Sequence, residues 1–438
     1  MKRHAPVVVK FGGATLSRPE RVVRWVADLG GTGTPVVVVL SAREGVTDLL
    51  RSVSTEPRRR SSHQRALVRI ERLHSDLSDE GRRTLARLRR LVEEVESAGR
   101  HDAPLGDRLV SQGERLAVQW MVPQFAKAGL PAVAVEADHL GIVTDNEYGA
   151  STILLRRSAG PVRKAIERRL RAGQLPVVTG FIGRSLEGRV TTLGRGGSDY
   201  TATALGAILG ASRIELVKRG VSVLTADPRY IPAARPIARL SYAEAEELAQ
   251  FGAKVLHPLT VEPARAAGVP VHVVPLDDPA ARTVIGRSPA PRDTRALTLL
   301  SPVALLRLRV AGGRQRPGVV AEVSRRLASA GVNIVTLFTS STVLTVVLED
   351  GRAQAGKRAL EPLARGDQMV LEGPYRVGLL TAIGARVIHD VSRLPRGLLI
   401  SGEGLSATPR SVTLAVPASR AVRALVEMHR VLVERRRA

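Results

Sequence analysis

The stretch TTLGRGGSDYTATALGAILGA, Thr191 to Ala211, passes from a glycine-rich turn to a helical run of small residues. Arg195, Ser198 and Asp199 stand where the one becomes the other. A tight turn opening into a helix presents free backbone N–H groups and the positive end of the helix dipole, a natural place to hold an anion. Outward from this stretch, between Val7 and about Ile285, short β-branched runs (VVVK, PVVVVLSA, PAVAVEA, PVVTGF, RIELV, VPVHVV) alternate with amphipathic helical segments. That alternation predicts a mostly parallel sheet covered by helices, an α/β domain.

The whole chain has 438 residues and is 44% hydrophobic, enough for two or three globular domains. It contains no cysteine, which excludes disulfides and thiolate zinc sites and favours an intracellular compartment. None of the nine histidines has HExxH-type spacing, so no metal site is expected. Lys10 breaks the N-terminal apolar run, and no segment approaches the roughly 20 apolar residues of a membrane helix, so the expected location is cytoplasmic. A net charge of +25 raises a nucleic-acid partner, but arginine is spread through every segment and aromatics make up 3%, which leaves no stacking platform. The excess suits attraction of small anionic substrates.

Arg51 to about Arg100 reads as a solvated helical excursion, with Arg and Glu at spacings of three and four. Proline, glycine and charge cluster at GRSPAPRDT, Gly286 to Thr294, and mark a linker. Beyond it, ALLRLRV, PGVVAEVSRRLASAG, VNIVTLF and TVLTVVLE form a βαββ unit, and a less regular second unit follows, ending in a helix from about Ser419 to Glu434. Expected boundaries are 1–290 for the α/β domain, 291–365 for the first small module and 366–438 for a degenerate second one.

In KFGGATLSRPE a strand ends at Lys10, and Gly12 with Gly13 can turn the backbone closely around phosphate oxygens while Lys10 neutralises them. Alone, a glycine pair after a strand is commonly just a turn. LSAREGVTD repeats the logic with the hydroxyls of Ser41 and Thr47, and SQGERL puts Glu114 at the head of another helix. A guanidinium matches a carboxylate and a carboxylate suits an ammonium, so Arg195, Glu114 and Asp199 together look like receptors for an amino acid.

KFGG, LSAREGVTD, SQGERL, GIVTDNEYG, VVTGFIG, TTLGRGGSDYTA, LTADPR and FGAKVLHPLTVEPARAAGVPV occur in one order over most of residues 7 to 275. In these pieces the chain resembles the aspartate kinases of the amino-acid kinase family with two C-terminal ACT modules. The resemblance implies transfer of a phosphoryl group from ATP, with Mg²⁺ bound to the nucleotide, to the side-chain carboxylate of L-aspartate, the first step toward lysine, threonine and methionine. It implies that Lys10 stabilises the transferred group, that Gly12 and Gly13 cradle it, and that Arg195 pairs with the α-carboxylate. Glu114, with Asp199, would take the ammonium, and Ser41, Thr47 and Ser198 would complete the aspartate pocket. Arg229 and Lys254 would contact nucleotide phosphates. On their residues alone, Lys254 also reads as a helix-end lysine and Arg229 as a turn residue paired locally with Asp227.

One piece departs from the pattern. Where aspartate kinases carry a tryptophan, threonine, aspartate and glycine run before TADPR, this chain has Val217, Lys218, Arg219, Gly220, Val221 and Ser222. Either Lys218 and Arg219 reach the polyphosphate directly, or the nucleotide pocket is weakened and the chain acts as a silent, ligand-binding relative. In the first small module RPGVVAEVSRRLASAGVNIVTLF resembles an ACT domain, which implies an amino-acid effector touching Asn333 and a homo-oligomer formed through these modules. Asn333 also reads as a residue that only caps the turn.

Overall fold

The computed structural model describes residues 5–220, 222–252, 257–287, 294–310, 317–365, 369–392, 394 and 403–434. The chain forms two compact units, one of Met1–Val223, Pro236–Glu246 and Val255–Pro289, the other of Leu224–Arg235, Glu247–Lys254 and Ala290–Ala438.

Among the described residues the first unit holds eleven strands: β1 (Val7–Phe11), β2 (Val36–Leu40), β3 (Ala132–Val135), β4 (Val143–Thr144), β5 (Leu175–Thr179), β6 (Ile182–Ser185), β7 (Val190–Thr192), β8 (Arg213–Lys218), β9 (Arg239–Ser241), β10 (Val271–Pro275) and β11 (Thr283–Gly286). Eight of them make one sheet in the order β3-β5-β2-β1-β8-β10-β11-β9, and β4, β6 and β7 make a small second sheet. Every pairing from β3 to β10 in the large sheet is parallel, with the antiparallel step falling between β10 and β11. The sequence reason is visible in VVVKF and VVVVL, whose residues are all buried, as strands covered on both faces require. The helices of this unit include α1 (Pro19–Gly31), α2 (Val46–Thr55), α3 (Arg60–Leu73), α4 (Asp79–Ala98), α5 (Ala103–Val110), α6 (Gln112–Lys127), α7 (Ala137–Leu140), α8 (Leu155–Arg171) and α9 (Gly197–Leu209). On one side, Val9, Phe11, Val38 and Leu40 of β1 and β2 pack against Val22 and Val26 of α1 and Met121 and Phe125 of α6. Each such side chain removed from water contributes about 1.5–3 kcal/mol.

The second unit is a six-stranded antiparallel sheet with helices, built on two long strands, Thr294–Val310 and Met369–Gly384, which pair with each other along most of their length. The two small modules expected from the sequence thus share one sheet. Leu224–Arg235 belongs to this unit because Ala226 and Ile231 pack with Leu380, Leu425 and Met428. The expected closing helix runs over Ala421–His429 and continues as a wider turn to Glu434. Ahead of that closing helix, the described residues after Met369 hold the five-residue helix Val387–Val391 and a 3-10 turn at Ala418–Arg420. The GRSPAPRDT linker lies largely outside the described residues. Among those residues no helix is long and apolar enough to cross a membrane.

Candidate functional site

Parallel strands deliver their C-terminal ends to one edge of a sheet, and in open α/β sheets ligands bind there. At that edge β1 carries Lys10 in its last turn of chain and β8 ends with Lys218. The register pairs Lys10 with Leu216, so the two-residue period puts Lys10 and Lys218 on the same face. Facing them is Asp199, in the first turn of α9. The Lys10 Nζ lies 2.6 Å from Asp199 Oδ1, and Lys218 Nζ pairs with Oδ2 of the same carboxylate. Lys10 and Asp199 are buried. Burial lowers the Lys10 pKa below the ordinary lysine value, Asp199 opposes that fall, and Lys218 reinforces it. For Asp199 burial acts in the other direction, yet Lys10 and Lys218 outweigh it and hold the carboxyl well below the usual carboxylate range.

The glycine turn lies against this cluster. A Cβ on Gly12 would stand 3.5 Å from Lys10 Nζ, and one on Gly13 would stand 2.4 Å from the Ala42 carbonyl oxygen and 2.9 Å from the Glu44 nitrogen. Gly13 is therefore required for the β1 turn to approach the β2–α2 loop, while Gly12 keeps the space beside the ammonium free of a side chain. That loop carries Ser41, whose N–H donates to the Phe11 carbonyl at 3.2 Å and whose hydroxyl accepts from Ser198 Oγ at 3.3 Å. Thr47 lies in the first turn of α2.

Glu114, in the first turn of α6, is 1% exposed. Its Oε1 accepts the Ala42 N–H at 3.0 Å, and its Oε2 has no partner among the described residues. Burial raises its pKa to about 7 against the opposing pull of the Ala42 N–H, its own N–H, Lys10 and Arg51. A buried carboxylate oxygen without a partner is costly unless a ligand completes it. Arg195 stands in the GRGG turn and makes no ion pair with any described residue; it lines a cavity of about 330 Å³ together with Arg51, Tyr148 and Asp107. Asp107 shapes the wall, accepting the N–H groups of Gly149 at 3.0 Å and Thr192 at 2.7 Å and the Thr192 hydroxyl at 2.8 Å. Gly196, at φ +77°, lets His257 approach so closely that a Cβ there would lie 2.6 Å from the His257 Cβ, which joins the GRGG turn to the end of the FGAKVLHP piece.

Two features escape sequence reasoning. Phe181 of VVTGFIG adopts φ +69°, rare for a residue with a side chain, and its N–H donates to Thr201 Oγ1 at 2.9 Å. Arg51, one turn beyond Thr47, places its guanidinium 5.9 Å from the Phe181 ring. The aromatic in a TGF sequence beside two glycine turns was the available signal for the first; nothing local marks the second.

Of the residues singled out in the sequence, the first unit gathers Lys10, Asp199 and Lys218 into one cluster beside Gly12, Gly13 and Glu114, with Ser41 hydrogen-bonded to Ser198. Arg219 turns away from Asp199 and lies 3.5 Å from Glu44 at the surface. Arg229 belongs to the second unit and pairs with Asp227 through Nε at 3.0 Å, the local ion pair expected of a turn residue. Asn333 is exposed, one residue before the strand Ile334–Thr339 of the second unit. Lys254 lies outside the described residues.

The model of the amino acid kinase family matches residues 5–275. The chain is 32% identical to the lysine-sensitive aspartokinase 3 of Escherichia coli over 78% of its own length and 78% of that protein. It is 29% identical to an aspartokinase of Thermus thermophilus, covering 74% and 82% of the two chains. The crystal structure of E. coli aspartokinase III in complex with aspartate and ADP superimposes with a TM-score of 0.80 at 28% identity, over 98% of this chain and 99% of that one. Strand-end lysines, a helix-start aspartate and the ordered motif pieces thus fall in a chain whose length and fold follow these relatives, and the chain belongs to the amino acid kinase family, among the aspartokinases.

Proposed function

We propose that the first unit transfers the γ-phosphoryl group of ATP to the side-chain carboxylate of L-aspartate, giving 4-phospho-L-aspartate and ADP, the entry step to lysine, threonine and methionine. The observation that carries this reading is the meeting of a buried Lys10 ammonium, a glycine turn and a buried carboxylate with one oxygen unpartnered.

In this reading a side-chain carboxylate oxygen of aspartate attacks the γ-phosphorus while the bond to the β,γ-bridging oxygen breaks and ADP leaves with its electron pair. An ionised carboxylate has no proton to lose, so no general base is needed. The protein's task is to align two anions and neutralise their charge. Lys10 faces the transferred group, with the backbone at Gly12 and Gly13 around it. Arg195 takes the α-carboxylate and Oε2 of Glu114 takes the ammonium, while Ser41, Thr47 and Ser198 border the acceptor. Asp199 has both oxygens on ammonium groups, which makes it an internal counter-ion and leaves the substrate ammonium to Glu114. Arg219 is the first unit's cation for the nucleotide tail.

Mg²⁺ travels on the nucleotide, where it screens the phosphate oxygens. The described residues hold one cluster of metal-ligand type, Glu136, Asp138 and His139, and Arg115 already pairs with both carboxylates, lying 2.8 Å from Asp138. The second unit binds an amino-acid effector at Asn333 and joins two copies of the chain. The E. coli relative's name, lysine-sensitive, makes lysine the first effector to try.

The test is direct. Purified protein with ATP, Mg²⁺ and aspartate should yield an acyl phosphate that hydroxylamine traps, and Lys10→Met should lower kcat about 10²–10³-fold while the protein stays folded. Absence of hydroxamate above the Lys10→Met level, together with no heat of ATP binding in calorimetry, would leave the chain as a ligand-binding relative.

A further inference from the structure

Lys218 stands in the Val217–Ser222 stretch, which departs from the pattern that the aspartate-kinase resemblance implies, and it does not point to open solvent. Its ammonium is held on Asp199, opposite Lys10, and its side chain is 22% exposed. Arg219, the next residue, lies past the end of β8 and pairs with Glu44 at the surface. Register, not chance, sets the placement: Leu216 is level with Lys10, and Lys218 follows two residues later on the same face. Lys10, Lys218 and Asp199 together carry a net charge of +1 beside the Gly12–Gly13 turn, and the Glu114 carboxylate that also faces Lys10 is left to the substrate ammonium. With Lys10 alone on Asp199 the pair would be neutral, and a neutral pair does far less for a developing phosphoryl charge than a net cation.

We propose that Lys218 is a positioning residue for phosphoryl transfer: by sharing the Asp199 carboxylate it leaves the Lys10 ammonium with net positive charge toward the transferred group. The inference rests on the aspartokinase reading of this site and adds to it a residue that acts through Lys10 and Asp199. The groups facing Lys10 are Asp199 from α9, Lys218 from β8 and Glu114 from α6. Removing Lys218 deletes a repelling cation and returns all of Asp199 to Lys10, and both changes raise the Lys10 pKa.

The experiment compares Lys218→Met and Lys218→Arg with the full-length wild type. For Lys218→Met, kcat should fall about 10- to 100-fold, less than for loss of a group that touches the phosphoryl directly, with KM for ATP and aspartate within about twofold. Lys218→Arg should recover most of the loss. The high-pH limb of kcat should move upward in Lys218→Met, a shift that a merely structural residue would not produce. A rise in KM for ATP at unchanged kcat would overturn the proposal by making Lys218 a simple nucleotide ligand, as would unchanged kcat and an unmoved limb.

The chain has only seven lysines, so ¹⁵N-lysine NMR can follow Lys10 and Lys218 without any turnover. Lys10 should titrate at higher pH in Lys218→Met, and Asp199→Asn should shift the resonances of both lysines. If Lys218→Met does not fold, the Asp199→Asn spectrum decides, and a Lys218 signal left in place by it sinks the idea. If the wild type forms no acyl phosphate, the functional reading fails, and the NMR arm still settles whether the two lysines share Asp199.

Discussion

Both units bury polar side chains among apolar ones, and they complete them differently. In the second unit His429, 1% exposed, has both ring nitrogens engaged, Nδ1 with Glu434 at 2.9 Å and Nε2 with Thr225 at 2.9 Å. The Thr225 hydroxyl in turn accepts the Arg235 N–H at 3.1 Å, so a neutral imidazole donating to Glu434 and accepting from Thr225 satisfies the whole chain of bonds. Asp390, fully buried, accepts the N–H and hydroxyl of Thr294 at 3.2 and 2.8 Å. In the first unit buried Glu114 keeps an oxygen without a partner, and Arg195, exposed in the GRGG turn, has no ion pair among the described residues. Unpartnered buried atoms occur in the second unit as well, at Arg295 and Thr298. What sets Glu114 apart is its neighbours: its open carboxylate faces the Lys10 ammonium, which lies beside the Gly12–Gly13 turn and shares Asp199 with Lys218. A closed network holds a fold together, and an open one is completed by a ligand.

The contrast breaks most readily at Arg195. If its guanidinium is open because the aspartate α-carboxylate completes it, Arg195→Gln should raise KM for aspartate about 10- to 100-fold, the 1.5–3 kcal/mol of hydrogen bonds to a charged group. KM for ATP should stay within a few-fold, and the melting temperature should hold. Equal losses for both substrates would make Arg195 a general electrostatic group and not an acceptor ligand.

His429 tests the opposite side. His429→Leu keeps the bulk and deletes both hydrogen bonds, which strands the Thr225 hydroxyl proton among apolar neighbours. The expected cost is about 1–3 kcal/mol, read as a lower thermal midpoint. A variant as stable as the wild type would mean that the Thr225–His429–Glu434 network contributes nothing and that closure of polar groups is no guide to their role.

These two sites also differ in how much of them the sequence reveals. Lys10, Arg195, Glu114 and Asp199 are readable because each sits at a boundary the chain must announce locally, a strand end, a glycine turn or a helix start. The parallel sheet is readable because VVVKF and VVVVL are apolar almost throughout. The meeting of Lys10 and Lys218 on one carboxylate is not readable, since it depends on the register of β1 against β8, two strands about 200 residues apart in sequence. The left-handed Phe181 is hidden for a related reason: its backbone is set by Thr201 and Leu193, which tertiary packing brings to it. Nor does the sequence announce that Leu224–Arg235 packs with the second unit, because Ala226 and Ile231 find their partners beyond residue 296.

Glu114 sharpens the comparison through pH. Its pKa is raised to about 7, so in the free enzyme the proton is held up to that pH and is released above it. An ammonium needs the ionised form. kcat/KM for aspartate should therefore level off above pH 7 and fall about tenfold per unit below it, whereas kcat, measured with the ammonium bound and stabilising the carboxylate, should fall at lower pH. Glu114→Gln should flatten this limb while lowering kcat/KM. A limb that survives Glu114→Gln belongs to another group.

The smallest effect is expected where a polar contact is neither closed in the core nor open at the site. Arg376 reaches Asp350 from the second unit's long strand with Nε at 3.0 and 3.2 Å, on side chains 67% and 32% exposed. Water already solvates both groups, so the pair gains little over its separated partners and loses side-chain freedom in forming. Arg376→Ala should change stability by about 0–1 kcal/mol, and added salt should shrink even that. A loss above about 2 kcal/mol would show that this exposed pair behaves like the buried networks, and burial would then no longer separate the contacts that hold this protein together from those that merely decorate it.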